Sequence, residues 1–275
     1  MFADDSCLVS VHTNMESAIQ QAQEDLMNLQ KYFYNNHIYL NEKKTEVLFL
    51  GGKRSIKKTD VKKIICHSRD CLNNNYHNQA CSCTKLEYTD QERYLGVLVD
   101  EDFKMKHHVS LLCKKLRILN YQFRRINSDK LPLTTRKIMY FSLIESVLRY
   151  GALLYAFAPA SYLNPLNLLQ KKIIIFLFGN LQQDIYWLAP EQLGKLQLLM
   201  QNFFCPEYRQ LQNSTYTLRR QTFFKSLANT KNGERKLSYI VPQLLNKYCE
   251  EFLYENNFNL IKKNIKLKLI TEKQL

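Results

Sequence analysis

The sequence predicts an α+β fold, in which a short antiparallel β-sheet and a helix precede a mainly helical region. Only 7 of the 275 residues are glycine and 6 are proline, which favours long helices over a turn-dense all-β chain. Short β-favouring runs occur in the first hundred residues, whereas apolar residues recur at helical spacing after them. With 45% hydrophobic and 23% charged residues, the chain can bury a core and is not a disordered tail.

The first fifty residues predict a β-hairpin and an amphipathic helix. Residues 2–11 place β-favouring side chains around an acidic turn, so two strands are expected with Asp4 and Asp5 at the tip. Thr13 and Glu16 have the spacing of a capping box, which predicts a helix that begins there and ends at the asparagine pair 35–36. Apolar residues at 38–40 and 47–50 then predict two more short strands.

The later residues predict a strand and several helices. Residues 94–100 favour a strand, and the helix expected from Lys104 to about Ile126 has apolar residues that step alternately by three and four. Further helices are expected from 132 to about 151 and from 164 to 179. More helices and loops are expected after residue 180, with a basic stretch near the carboxyl end.

The charge distribution predicts two different surfaces. The net charge is +14, yet residues 1–50 hold seven acidic side chains against three basic ones. Residues 51–275 have a net positive charge, as expected of a surface that binds phosphate groups. A positive charge that serves only solubility would give the same pattern. The sequence has no P-loop, dinucleotide fingerprint or Ser/His/Asp arrangement, so it does not support ATPase or hydrolase functions.

Asp4 and Asp5 are candidates for a cation site. Two carboxylates held together at a hairpin tip repel each other, and a divalent cation relieves that repulsion. An ordinary turn would use the same residues, because aspartate is common in turns.

A second candidate site lies in the polar, cysteine-rich segment 53–93. The composition of this segment predicts a long loop, an insertion or a small module stabilised by a metal ion. Four cysteines, at 66, 71, 81 and 83, occur there with His67 and His77, enough for a four-coordinate zinc site. The favoured ligand set is His67, Cys71, Cys81 and Cys83, because the neighbours Cys66 and His67 are not expected to bind one ion together. The spacing is not the usual C-x2-C pair, and a polar loop with free thiols is the alternative.

Three sequence boxes in order resemble the reverse transcriptases of non-LTR retrotransposons of the jockey/RTE-like type. Phe2-Ala3-Asp4-Asp5 is similar to their Y/F-A-D-D box, and Asn41, Lys44 and Thr45 are similar to their N-x-x-K-T box. Tyr94-Leu95-Gly96-Val97, with Asp100 and His108, is similar to the Y-L-G-V stretch at the palm–thumb junction. The likeness extends to Gln170-Lys171-Lys172 and to residues 216–246, so it covers most of the chain.

The resemblance implies a palm half at 1–52, the Cys/His-rich insertion at 53–93, a junction and helical thumb at 94–160, and a helical carboxyl-terminal region at 161–275. It implies two-metal nucleotidyl transfer with Mg²⁺ or Mn²⁺ at Asp4 and Asp5, and with Lys44 near the incoming phosphates. Tyr94, Leu95 and Gly96 would form the hairpin that grips the primer end. Five thumb cations would follow the template–primer backbone: Lys114, Lys115, Arg117, Arg124 and Arg125.

The implied function is that of an RNA-directed DNA polymerase fragment, with an RNA template, a DNA primer or hybrid duplex, and dNTP as partners. In the family a further aspartate and the fingers precede the Asp4-Asp5 box, so this chain is expected to bind nucleic acid without polymerising alone. A non-catalytic basic RNA- or DNA-binding protein is the alternative. With no leader, no long apolar run and 8 expected reduced cysteines, an intracellular place in cytoplasm or nucleus is expected, away from membranes.

Overall fold

The computed structural model describes residues 5–50, 63–73, 81–126, 130–179, 187–202, 237–249 and 257–272. Helices predominate and short strands accompany them, which confirms the α+β class. The chain forms two compact units, residues 1–104 and 105–275, and the boundary directly precedes the first long helix of the second unit. The finer division into palm, insertion, thumb and carboxyl-terminal region stays a prediction.

The first unit combines one long helix with short strands. Its described elements are α1 (Met15–Asn35), a 3₁₀ turn (Glu42–Lys44), β1 (Glu46–Leu48), β2 (Ile65–Cys66), α2 (Arg69–Asn73), β3 (Thr84–Lys85), β4 (Glu87–Thr89), β5 (Gln91–Tyr94) and β6 (Val97–Asp100). The core of this unit joins Ile19 and Leu26 of α1 to Ile64, Cys66 and Leu86 of the strand region.

Helix α1 has the predicted apolar face, with a start shifted by one residue. Asn14, not Thr13, is the cap, and its Oδ1 accepts a hydrogen bond from Glu16 N at 3.1 Å. An asparagine side chain is as good an acceptor at this position as a threonine hydroxyl. Ile19, Leu26 and Phe33 are buried, and the helix ends at Asn35 as predicted.

The strands of the described residues form three separate pairs and not one antiparallel sheet. β1 pairs with β4 in parallel, whereas β2 pairs with β3 and β5 pairs with β6 in antiparallel fashion. A parallel pair needs a long connection between its strands, and β2, α2 and β3 lie in the connection from β1 to β4. The expected antiparallel sheet is therefore wrong for β1.

Three strand predictions are corrected. Residues 6–12 and 38–40 are irregular, and Val9, Val11 and Tyr39 are 70%, 86% and 71% exposed. Strand propensity depends on side-chain packing, which these exposed residues lack. Residues 94–100 form a hairpin instead of one strand, because Leu95 and Gly96 take left-handed conformations between β5 and β6.

The second unit is helical throughout its described residues. It comprises α3 (Lys106–Arg124), α4 (Leu133–Met139), a π-helical segment (Tyr140–Glu145), α5 (Ser146–Arg149), α6 (Ala152–Tyr155), α7 (Ala160–Phe178), α8 (Pro190–Asn202), α9 (Leu237–Tyr248) and α10 (Phe258–Thr271). Helix α3 packs on α7, while α6, α9 and α10 pack on α8. None of the described helices is long and apolar enough to cross a membrane.

The predicted helices of this unit are present, with differences at their ends. The predicted α3 stripe is buried at Val109, Leu112, Leu116 and Phe123. Of the other two predicted stripe residues, Leu119 is half-buried and Ile126, beyond the end of the helix, is 40% exposed. The adjacent histidines 107 and 108 look like surface residues in the sequence, but His108 is 2% exposed and its ring centroid lies 5.6 Å from that of Tyr155. Adjacent helical positions point about 100° apart, so His108 falls on the buried side.

The next two helices differ from the predictions for identifiable reasons. The expected helix 132–151 contains the π-helical segment, which shifts the phase of its apolar residues and leaves Ile138 66% exposed. The expected helix 164–179 begins earlier, at Ala160, with Pro165 inside it, and it ends at Gly179 as predicted. Pro165 is the sixth residue of this helix, beyond its first turn, and it has no N–H to bond the carbonyl of Ser161 four residues earlier.

Candidate metal centre and basic helix face

Four side chains of the first unit converge in the geometry of a metal site. The ligand atoms of His67, Cys71, Cys81 and Cys83 all lie within 4.8 Å of one another. His67 Nδ1 is 3.3 Å from Cys71 Sγ and 3.5 Å from Cys81 Sγ. In a tetrahedral zinc site the ligand nitrogen and sulfur atoms are about 3.6 Å apart, as the Zn–N and Zn–S bond lengths require. The set is the one predicted from the sequence; His77 lies outside the described residues.

The extended backbone at β2 explains why His67 is in this cluster and Cys66 is not. Neighbouring residues of an extended chain point to opposite sides. Cys66 is 1% exposed and joins the core with α1, where its sulfur accepts a hydrogen bond from Gln30 Nε2 at 3.1 Å. Burial, with a smaller contribution from the charge of Glu42, raises the pKa of Cys66 to about 11, so it stays a thiol.

Ser68 connects two of the cysteine ligands. Its hydroxyl oxygen accepts a hydrogen bond from Cys71 N at 3.3 Å, and its carbonyl accepts from Leu72 N at 3.1 Å, so it caps α2. Its backbone N–H donates to Cys83 Sγ at 3.4 Å. The capped turn therefore holds Cys71 and Cys83 near the same point.

Two glutamines of α1 hold the backbone that carries His67. Gln23 donates from Nε2 to Ile65 O at 2.9 Å, and its Oε1 accepts from Ile65 N at 2.7 Å. Gln30 does the same at His67, donating at 2.8 Å and accepting at 3.2 Å. The glutamines are seven residues apart, about two helical turns, so they lie on one face of α1. The residues they bond are two apart, so their backbone groups lie on one side of the extended segment. Gln30 is 1% exposed.

The electrostatics of the cluster favour a cation. Burial raises the pKa of Cys71 to about 11, and the neighbouring thiols of Cys83 and Cys81 raise it as well. At Cys83, burial opposes ionisation, but hydrogen bonds from Ser68 and contacts with the neighbouring thiols outweigh it and lower the pKa. Three thiolates so close together repel one another, and a bound dication both removes that repulsion and deprotonates the thiols.

Lys44 lies on a segment attached to the metal cluster. The 3₁₀ turn that carries this lysine begins at Glu42, whose carboxylate accepts a hydrogen bond from the Thr84 hydroxyl. Thr84 directly follows the ligand Cys83, so this hydrogen bond links the 3₁₀ turn to the residue next to the cluster. The Lys44 side chain is exposed.

The predicted magnesium ligands are only partly described. Asp4 lies outside the described residues, as do Phe2 and Ala3 of its box. Asp5 is exposed and makes a single β-bridge. The Asp4-Asp5 cation site therefore stays a prediction.

The predicted primer-contact residues form the tip of the β5–β6 hairpin. Tyr94 pairs with Val97, and Leu95 and Gly96 close the turn with φ values of 47° and 80°. Tyr94 is 36% exposed, and Gly96 is exposed as well. A two-residue turn with both residues left-handed is a tight hairpin connection, so Tyr94, Leu95 and Gly96 lie together at the hairpin tip.

All five predicted cations of α3 are exposed, on the side away from its buried stripe. They are Lys114, Lys115, Arg117, Arg124 and Arg125. Within the described part of the chain none of them forms an ion pair with a carboxylate. The face from residue 114 to 125 is about 17 Å long at 1.5 Å per residue, and its charge is positive throughout.

Sequence reasoning missed two residues on this face. Ile118 and Tyr121 are 59% and 65% exposed, and they stand in one row with Lys114 and Arg125 at spacings of four, three and four. An exposed aromatic ring among cations is the pattern of surfaces that stack bases beside a phosphate backbone. The signal was the helical spacing, which puts Tyr121 opposite the apolar stripe.

Comparison with known proteins gives no family: no family model, no curated protein and no solved structure matches this chain.

Proposed function

We propose that this chain carries the second half of the palm and the thumb of a non-LTR reverse transcriptase, and that its α3 face binds nucleic acid. The observation that carries the proposal is the basic row on α3, where five exposed cations surround Ile118 and Tyr121. Backbone charge supplies most of the affinity for nucleic acid, and aromatic stacking adds to it without sequence preference. The ligand is a template–primer duplex, either RNA–DNA hybrid or DNA.

The local structure of the sequence boxes supports the polymerase part of the proposal. Asn41, Lys44 and Thr45 lie at a turn that leads into β1, and Tyr94–Val97 lies at a hairpin tip. Asn41 and Lys44 at the turn and Tyr94 and Gly96 at the hairpin are exposed, so an incoming nucleotide or a primer end can approach them, whereas Val97 is buried. Magnesium, held by Asp4 and Asp5, would supply the charge stabilisation for nucleotidyl transfer.

The Cys/His cluster is a structural zinc site. Four protein ligands complete a tetrahedral site, which leaves no open position for a substrate, and two of them, His67 and Cys71, are buried. Zinc sites with four protein ligands stabilise folds, whereas catalytic ones keep a position for water. Histidine with three cysteines is one of the usual structural ligand sets.

Removing three cations from α3 should weaken duplex binding and flatten its salt dependence. Five phosphate contacts give a slope of log K against log salt of about −4.5, and each lost contact takes away about 0.9. The triple change Lys114→Gln, Arg117→Gln, Arg125→Gln is therefore expected to leave a slope of about −1.8 and to reduce affinity roughly tenfold or more. Fluorescence anisotropy with a labelled hybrid duplex measures both quantities.

The control has the same change of charge in the other unit. Lys31, Lys43 and Lys85 are exposed residues of the first unit, and changing all three to glutamine should alter the slope by less than one contact. If the two triple variants lose equal amounts of duplex affinity, binding depends on net charge alone and α3 has no specific role.

If the chain has the proposed polymerase function, Mn²⁺ should bind at the acidic turn formed by Asp4 and Asp5. Paramagnetic Mn²⁺ broadens nearby amide resonances, so signals from residues 4–6 should disappear at low Mn²⁺ and persist in the Asp4→Asn, Asp5→Asn variant. Asp70→Asn, a change at an exposed acid elsewhere in the first unit, should leave the broadening intact. Duplex binding without any manganese effect at residues 4–6 would favour the non-catalytic alternative.

A further inference from the structure

The second unit contains a cavity that the proposed function does not use. Its volume is about 360 Å³, within the range of small-ligand sites, and it lies where α5, α6, α8 and α10 meet. Helix α8 supplies one face, with Leu193, Leu196, Gln197 and Met200 at the spacing of a single helix side. The opposite side comes from Arg149 and from α10.

The cavity has an apolar interior and a cationic mouth. Leu193 and Leu196 are 1% and 2% exposed, so they form the floor. Phe258 is 43% exposed, and Lys262 stands one turn beyond it on the same side of α10, so both are at the opening. The described residues that line the cavity include no carboxylate.

Arg149 is held in place at this opening. Its guanidinium pairs with the carboxylate of Glu145, which is 3% exposed, and its carbonyl accepts a hydrogen bond from Gln197 Nε2 at 3.0 Å. An arginine fixed on one side by a buried carboxylate can still offer its remaining donors to a phosphate. Lys262 adds a second cation, and no described carboxylate pairs with it.

The surroundings keep this corner positive. Lys266 lies one turn beyond Lys262, with its ammonium 5.7 Å from the centre of the Phe141 ring. Burial lowers the pKa of Lys266, and the nearby charges of Arg149 and Lys262 lower it further, while Glu145 opposes the change. Among the described residues of this corner, three cations stand against one buried carboxylate, which gives a net positive potential over an apolar cavity.

We propose that this cavity binds a single nucleotide unit of a nucleic-acid strand, with the phosphate at Arg149 and Lys262 and the base on the leucine floor beside Phe258. A planar aromatic ring attached to an anion matches both the apolar floor and the cationic mouth of the cavity. Gln197, whose Nε2 already donates to the Arg149 carbonyl, keeps its Oε1 as an acceptor for the base edge. The proposal rests on the proposed function in one respect: a duplex held by α3 would supply a strand end or a displaced nucleotide.

The test uses the full chain and adenosine 5′-monophosphate as the probe, with affinity measured by calorimetry or by amide shifts. Lys262→Gln should weaken binding about tenfold, and Phe258→Ala should weaken it at least threefold. Lys263→Gln is the matched control, since Lys263 is exposed next to Lys262 and does not line the cavity, and it should change affinity less than twofold. Arg149 is not replaced, because its loss would leave the buried Glu145 carboxylate without its ion-pair partner.

Three results would overturn the inference: no binding of the nucleotide, equal losses in the Lys262 and Lys263 variants, or inorganic phosphate binding as tightly as the nucleotide. Displacement of the nucleotide by a peptide with a free carboxyl terminus, at lower concentration than by a second nucleotide, would also overturn it and assign the cavity to a protein partner. Hybrid-duplex binding is measured on the same samples. If the duplex binds and the nucleotide does not, this inference fails while the proposed function stands.

Discussion

Replacement of Cys71 by serine is expected to abolish zinc binding and to lower the stability of the first unit by about 4 kcal/mol. That is the stabilisation given by a ligand present at about a thousand times its dissociation constant, a modest assumption for structural zinc. The side chain is buried and sits 3.3 Å from His67 Nδ1, so a serine there supplies a poor ligand and no replacement comes from solvent. A chelator should produce the same loss in the unchanged protein.

Zinc content per chain and hydrogen exchange of residues 63–73 and 81–89 measure this effect. Protection should fall in these segments and remain in α3, because α3 belongs to the other unit. Cys66→Ala is the informative control, since it changes the neighbour of a ligand and should keep one zinc per chain. Cys7→Ser changes an exposed cysteine and should alter nothing. Zinc that survives in the Cys71 variant and vanishes in the Cys66 variant would refute the ligand set.

Replacement of Gly194 by alanine is expected to destabilise the second unit by about 3 kcal/mol. A Cβ at this position would lie 2.1 Å from the Ala156 Cβ and 2.6 Å from the Ala152 carbonyl oxygen. Neither atom belongs to a flexible side-chain end, so α6 and α8 have to separate, and overpacking of this kind usually costs about 1–3 kcal/mol. The intrinsic preference of helices for alanine over glycine returns less than about 1 kcal/mol.

Thermal or urea unfolding of the second unit measures this loss. Ala156→Gly in the Gly194→Ala background should recover part of it, because one of the two close contacts disappears and the carbonyl contact remains. Lys195→Ala tests the same helix without a clash. It removes the ion pair with Glu191 and a weaker attraction to Glu272, and it should cost about 0.5 kcal/mol. Equal stability of the glycine and alanine proteins would mean that the two helices do not approach so closely.

Local sequence patterns predicted the parts of the site that depend on neighbouring residues. The expectation that two adjacent residues do not bind one ion together kept Cys66 and His67 from being paired in the predicted ligand set, and the structure brings that set together. The extended backbone at β2 then points Cys66 into the core and His67 into the cluster. The alternating steps of three and four along α3 predicted both its buried stripe and the exposure of its cations. These features need no knowledge of the rest of the chain.

The features that the sequence did not predict depend on contacts between residues far apart along the chain. The parallel pairing of β1 with β4 joins Glu46 to Glu87, and no local signal specifies it. Gln23 and Gln30 look like surface residues of a helix until the strand they bond is known. His108 is buried because Tyr155 lies against it, although a histidine pair favours the surface on composition alone.

The glutamine pairs on α1 also protect the short strand they hold from aggregation. On one side β2 bonds to β3, with Ile64 O accepting from Leu86 N at 2.8 Å. On the other side the amide groups of Gln23 and Gln30 occupy the N–H and C=O groups of Ile65 and His67, which would otherwise be an open sheet edge. Foreign strands add at open edges, so these two side chains leave no template there for intermolecular β-pairing.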